Sequence, residues 1–179
     1  MSRSDPDGRR SGPDGPPQRF SGRRLPAYRF RPGENPHPTR DVQGHSAGVQ
    51  PVPLPAWRPV DWRGLEEWLW AVDLFNHGYW WESHEALEAL WNAAGRTSPA
   101  ARFVQALIHL SAACLNRRRG HEAAARRQVT RAVRGLRAAR SMGSVVMGVD
   151  LDRLARDVTR SFENARGDPI RIELDFEEQ

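Results

Sequence analysis

Lysine is absent from this 179-residue chain, and cysteine occurs once. All 27 basic side chains are therefore arginine, set against 22 carboxylates, so the net charge of +5 is a mild excess despite a pI near 10.7. An arginine-only basic set fits GC-rich coding as well as it fits nucleic-acid binding, and net charge speaks to association rather than fold. Nucleic acid is not the expected partner. The lone Cys114 excludes an intramolecular disulfide and a cysteine-rich zinc site; set in an apolar helical run, it reads as a small hydrophobe. No apolar run approaches the ~20 residues that span a bilayer. The amino terminus, rich in Pro, Gly and Arg, lacks the apolar segment of a secretory signal. A cytoplasmic chain with no membrane partner is expected. Hydrophobic residues make up only 39%, and most of the 14 prolines precede Asp61. The core must come from the roughly 110 residues that follow, enough for a single modest core.

What is present divides into four stretches. Residues 1–19 are polar and breaker-rich, unable to bury enough apolar surface to offset ordering entropy, and are expected to be disordered. Residues 20–59 form an arm whose spaced prolines hold it extended or turning. Tyr28 and Phe30 offer anchors for docking on a folded body. His37, Asp41 and His45 lie within nine positions of one another in this arm. They either meet in a turn that supplies metal or anion contacts or serve as polar turn residues without chemistry.

Residues 60–166 carry helical periodicity. Asp61 is the expected N-cap of a first helix, with Trp62, Leu65, Leu69, Val72 and Phe75 as its buried face. Asn76-His77-Gly78 is its stop signal, glycine being the usual left-handed residue there. A second helix runs to near Gly95. Ser98-Pro99 opens a third, which reaches about Asn116, and a fourth spans roughly His121–Met142 with Arg127, Arg131, Arg134 and Arg137 outward. Gly143–Val149 is a link to a final helix capped by Asp150. Residues 167–179 form an extended tail, I-R-I-E-L-D-F, expected to pack as a strap and kept solvated by Glu177 and Glu178. The predicted fold class is all-α, a compact bundle of about five helices with an extended N-terminal arm and a short C-terminal strap.

The densest chemistry lies between Trp80 and Trp91, W-W-E-S-H-E-A-L-E-A-L-W. Trp80, Leu87, Leu90 and Trp91 fall on one face at ~100° per residue. His84 and Glu88 are four apart and rise from one flank, with Glu85 about 60° from Glu88 and Glu82 further round. The resulting H-E-x-x-E differs from the H-E-x-x-H of zinc hydrolases at its last position, where Glu88 replaces the second histidine. A carboxylate is still a ligand for zinc, manganese or iron. A third ligand must then come from His109 on the next helix, or from His37 or His45 if the arm folds back, with Glu85 as candidate general base. Gln105 lies one turn before His109. The competing expectation is a structural hydrogen-bond network in which glutamates at the bundle edge accept tryptophan N–H groups.

L-F-N-H-G-Y-W-W-E-S-H-E-A-L-E-A-L-W followed by R-F-V-Q-A-L-I-H-L-S-A-A resembles the domain of unknown function 309 family over about Trp70–Arg140. Y-R-F-R-P-G-E-N-P-H-P-T-R-D-V-Q-G-H-S resembles the proline-rich extension of a subset of that family. The resemblance implies a compact helical bundle in a family catalogued as predicted metal-dependent hydrolases without an established substrate. It places the family's acidic-x-His-Glu run on Glu82, His84 and Glu85, its following glutamate on Glu88, and its glutamine on Gln105. A frequent glutamine falls on His109. A frequent glycine is Ala106 here, which tightens the space left to a neighbouring helix. Two functions are thus expected. One is a metal-dependent hydrolase taking zinc or manganese. The other is a non-catalytic binding or scaffold module whose arm contacts a small-molecule or protein partner; a weaker third is phosphate or nucleic-acid binding on the Arg127–Arg137 face.

Overall fold

The computed structural model describes residues 15–50, 52–164 and 169–176. Within them five α-helices carry the fold: α1 Glu66–Asn76, α2 Trp80–Ala93, α3 Pro99–Arg118, α4 Glu122–Ala139 and α5 Leu151–Glu163. This is the all-α bundle that the periodicity predicts. α3 is the central helix, packed between α2 and α4, while α1 lies on α2 and α5 on α4. Phe103, Val104, Leu107 and Leu110 give α3 its buried stripe and meet Trp68, Val72, Leu87 and Leu136 in one core. The caps fall where the sequence puts them. Ser98 Oγ accepts from Ala101 N at 3.0 Å with Pro99 at the first helical position, and Asp150 Oδ1 accepts from Arg153 N at 2.9 Å; each satisfies an orphan helical donor. Gly78, at φ +78°, turns the chain between α1 and α2.

The first helix starts later than expected. Pro59–Gly64 is a 3-10 helix, Leu65 breaks it at φ −84° and ψ 88°, and α1 begins only at Glu66. Asp61 is not a helix cap: its carboxylate is held by Arg58, Nε to Oδ2 at 2.9 Å. The cause is non-local. Trp62 is buried, its ring 4.8 Å from that of Phe176 and pressed on Gly148 so closely that a Cβ there would lie 2.6 Å from it. α4 likewise stops at Ala139 rather than Met142, passing into a 3-10 turn over Arg140–Met142.

The link before α5 is an antiparallel hairpin, β1 Val145–Val146 and β2 Val149–Asp150. Its two turn residues, Met147 at φ 50° and Gly148 at φ 80°, have the paired positive φ of a type I′ turn. Met147 accepts that conformation because its side chain is buried in the core.

Carboxylates of α1 and α2 fasten the arm to the bundle: Asp73 and Glu82 from buried positions, and Glu66 and Glu67 at the surface through Gly22 N and Arg23. Asp73 is fully buried in α1 and accepts from Phe20 N at 2.8 Å, Ser21 N at 2.9 Å, Ser21 Oγ at 2.5 Å and Arg19 Nε at 3.0 Å. Residues 1–14 of the expected disordered tail lie outside the described residues, and docking on the bundle is in place by Arg19. At the other end, Asn76 brackets the strap by donating to Ile172 O at 2.9 Å and accepting from Ile172 N at 2.7 Å. Ile172 is buried, and Asp175 N donates to Gly148 O at 2.8 Å. Glu177 and Glu178 lie outside the described residues. Among the described residues no helix is long and apolar enough to cross a membrane.

Candidate functional site

α2 presents three different flanks. Ser83, Leu87 and Leu90 point into the bundle, with Ser83 Oγ donating to Ala71 O at 3.0 Å. One step round, His84, Glu85 and Glu88 gather: one ligand atom of each lies within 4.8 Å of the others, with His84 half-buried and Glu85 exposed. His84 Nδ1 is 3.6 Å from Glu85 Oε1. The grouping follows from helical spacing, since i, i+1 and i+4 share an arc of the surface. One imidazole nitrogen and two carboxylates form a donor set suited to zinc or manganese.

Glu82, on another flank of α2, is buried and holds the arm. Its Oε1 accepts from Phe30 N at 2.8 Å and from His45 Nε2 at 3.1 Å. His45 Nδ1 lies 2.9 Å from Ser46 Oγ, and its ring meets Tyr28 edge-on at 4.7 Å. His37 packs its ring 4.9 Å from Phe30 and 5.2 Å from Trp81. Its Nδ1 accepts from Thr39 N at 3.3 Å, while its own backbone N–H donates to the Asp41 carboxylate. His37, Asp41 and His45 thus organise the turns of the arm and its hold on α2. The metal-capable group does not include them: it is His84, Glu85 and Glu88.

His109 sits on α3 beside this group without joining it. It makes a 2.8 Å hydrogen bond between Nδ1 and Gln128 Oε1. As the amide oxygen only accepts, Nδ1 carries the proton and Nε2 is left as the ring's acceptor. Burial lowers the His109 pKa below its ordinary 6.5, the Gln128 bond opposes the shift, and the charges of Arg131, His84 and Arg134 add to it. The imidazole is therefore neutral at pH 7, the form that ligates metals. Gln105 is half-buried one turn earlier on α3.

The tryptophans do not lean on these glutamates. Trp57 Nε1 donates to Leu90 O at 3.0 Å, whereas Nε1 of Trp68 and of Trp91 are buried with no partner among the described residues. Among the described residues no glutamate accepts from an indole, for a simple reason: Glu82 is taken by the arm, and Glu85 faces outward. Asp73 was not among the expected site residues although it does the most to seat the arm. Its signal was a lone carboxylate in the apolar run A-V-D-L-F.

Residues 68–128 match a family model described as a domain of unknown function, DUF309. The matched span covers α2, α3 and most of α1, and the arm lies outside it. No curated protein and no solved structure matches the chain.

Proposed function

Because residues 68–128 match the model of the domain of unknown function 309 family, we propose that the surface group on α2 is a divalent-metal site and that the protein is a metal-dependent hydrolase. The observation that carries the proposal is the convergence of His84, Glu85 and Glu88 within 4.8 Å. His84 and Glu88 would hold zinc or manganese, which supplies a Lewis acid for hydrolysis. Glu85 is solvent-facing beside His84 and would serve as the general base that takes a proton from water. His109, neutral and fixed through Nδ1, keeps Nε2 ready on the adjoining helix. The test is metal content of untagged protein beside His84→Ala. The expected result is near-stoichiometric metal in the wild type, lost in a variant whose circular dichroism is unchanged. A wild type that stays metal-free after zinc and manganese are added back would end this reading.

A binding module is the second reading, favoured by the use of Glu82. The acidic residue two positions before His84 is spent on holding Phe30 and His45, so the motif's first carboxylate supports the arm rather than the group around His84. The arm and bundle would then present one composite surface to a small-molecule or protein partner.

A further inference from the structure

Between the arm and the junction of α1, α2 and α3 lies a cavity of about 580 Å³, within the range of small-molecule sites. It is separate from the group around His84, although Trp80 in its wall precedes His84 by one turn. Four guanidinium groups border it: Arg29 and Arg31 from the arm, Arg118 and Arg119 from the last turn of α3 and the residue after it. The one carboxylate in the lining, Glu34, is spent on Arg31, Nη1 to Oε2 at 2.9 Å. Arg29 lies over the Tyr79 ring at 5.4 Å and has no carboxylate partner among the described residues. The side chains of Arg118 and Arg119 have no hydrogen-bond, ion-pair or ring partner among them either.

The C-terminal end of α3 favours cations through its dipole, which explains Arg118 and Arg119 but not Arg29 and Arg31. Those two come from nearly ninety positions earlier, on a segment held in place by Asp73 and Glu82. Gathering three uncompensated like charges around one hollow is unfavourable without an anion, and a concave, partly apolar wall concentrates their field. The arginines of α4 differ: Arg126, Arg127 and Arg131 lie exposed along the outer face of one helix. Trp80 and Leu115, the latter on the same face of α3 as Arg118 and Arg119, give the cavity an apolar part of its lining.

We propose that this cavity binds a small organic phosphate, its phosphoryl oxygens held by Arg29, Arg118 and Arg119 and its flat apolar body against Trp80 and Leu115. Guanidinium groups suit this task because their planar fork matches phosphate oxygens in pairs. His77 lines the same hollow with Nδ1 donating to Asp73 O at 2.8 Å, which leaves its Nε2 as an acceptor for a ligand hydroxyl. The site does not depend on metal at His84.

The test is calorimetric titration of the full chain with adenosine 5′-monophosphate, inorganic phosphate and adenosine. Saturable binding of the nucleotide is expected, weaker binding of inorganic phosphate, and none of adenosine. Arg118→Ala/Arg119→Ala should weaken the nucleotide by roughly tenfold or more, as loss of charge-assisted contacts does. Arg126→Ala/Arg127→Ala removes the same charge from α4 and should leave the affinity within about twofold. Both pairs are exposed, so folding, checked by circular dichroism, should be unaffected. Absence of saturable nucleotide binding would overturn the proposal, and so would equal weakening in the two double variants, which would reduce the effect to general attraction by a basic surface.

Discussion

Asp73, Glu82 and Glu85 lie within thirteen positions of one another, and their surroundings give them unrelated tasks. Asp73 is buried among four donors, Glu82 is buried against an imidazole and a backbone N–H, and Glu85 faces water beside His84. Burial sets the histidines apart in the same way. His109 has its pKa lowered first by burial, against the Gln128 hydrogen bond and with the Arg131, His84 and Arg134 charges. The sign of the consequence follows from linkage. Below its ordinary 6.5 the unfolded chain takes up this proton more readily than the folded one, so unfolding is favoured as pH falls. The contribution is fully present above 6.5 and is lost as pH drops from there through the lower folded value. Urea midpoints at pH 7.5, 6 and 5 should therefore fall more for the wild type than for His109→Gln. Parallel profiles would show that His109 carries no such linkage. Cys114 follows the same rule in a group without a role: burial pushes its thiol up to about 12, which keeps it inert.

At the scale of elements, α3 and α4 approach closely where Gly135 faces Ala106. A Cβ on Gly135 would come to 2.7 Å from the Ala106 Cβ, a contact no rotamer can relieve. Glycine inside a helix costs about 1 kcal/mol relative to alanine, so Gly135→Ala would be stabilising if space allowed. Here the helices must part, at a typical overpacking cost of ~1–3 kcal/mol. Net of the ~1 kcal/mol propensity gain, Gly135→Ala is expected to lower the melting temperature by a few degrees, at about 2–4 °C per kcal/mol for a chain of this size. Ala106→Gly/Gly135→Ala should recover most of that loss, a coupling that a double-mutant cycle measures. A single variant as stable as wild type would mean the approach is not limiting. Half of this contact was legible in the sequence. Ala106 stood where glycine is frequent, so a tight neighbour was expected, but the residue opposite it depends on the register of α4, which local pattern does not contain. The same divide runs through the fold. Stripes at i, i+3 and i+4 and the caps at Ser98 and Asp150 are local, and they marked most of the helices. Trp62 kept helical spacing with Leu65 and Leu69, yet its partners are Gly148 and Phe176, so the start of α1 was misplaced. At the site, His84, Glu85 and Glu88 come together through spacing on one helix. The destinations of His37 and His45 depended on how the arm lies across α2.

Among the described residues the molecule is a bundle wrapped by its arm and strap, and the wrapping adds buried polar groups to apolar packing by Phe20, Phe30, Trp57, Ile172 and Leu174. The arm is fixed by the Asp73 and Glu82 carboxylates, by Tyr79 OH donating to Pro26 O at 3.1 Å, and by Phe30 and His37 against Trp81. This makes the arm the part most sensitive to a single substitution, because a buried carboxylate with four donors has no substitute partner among apolar residues. Removing one side of such an arrangement typically costs ~3–5 kcal/mol, much of it from donors left unpaired. Asp73→Ala is expected to lose about that much, reduced to the extent that Phe20 N, Ser21 N and the Arg19 side chain regain water as the segment lifts. The α1 core around Asp73 is apolar on its remaining sides, with Val72, Leu74 and Phe75 buried beside it, so the bundle itself should keep its helical circular dichroism. Release of the arm separates this outcome from general unfolding. Limited proteolysis by trypsin should cut at Arg23, Arg24 and Arg29 in Asp73→Ala well before any cut inside α3, and more slowly in the wild type. Loss of the arm contact would also remove Arg29 and Arg31 from the cavity beside α3, so the same variant should bind adenosine 5′-monophosphate more weakly than Arg126→Ala/Arg127→Ala. Equal protection of the arm in wild type and Asp73→Ala would show that Glu82 and the aromatic contacts hold it without Asp73.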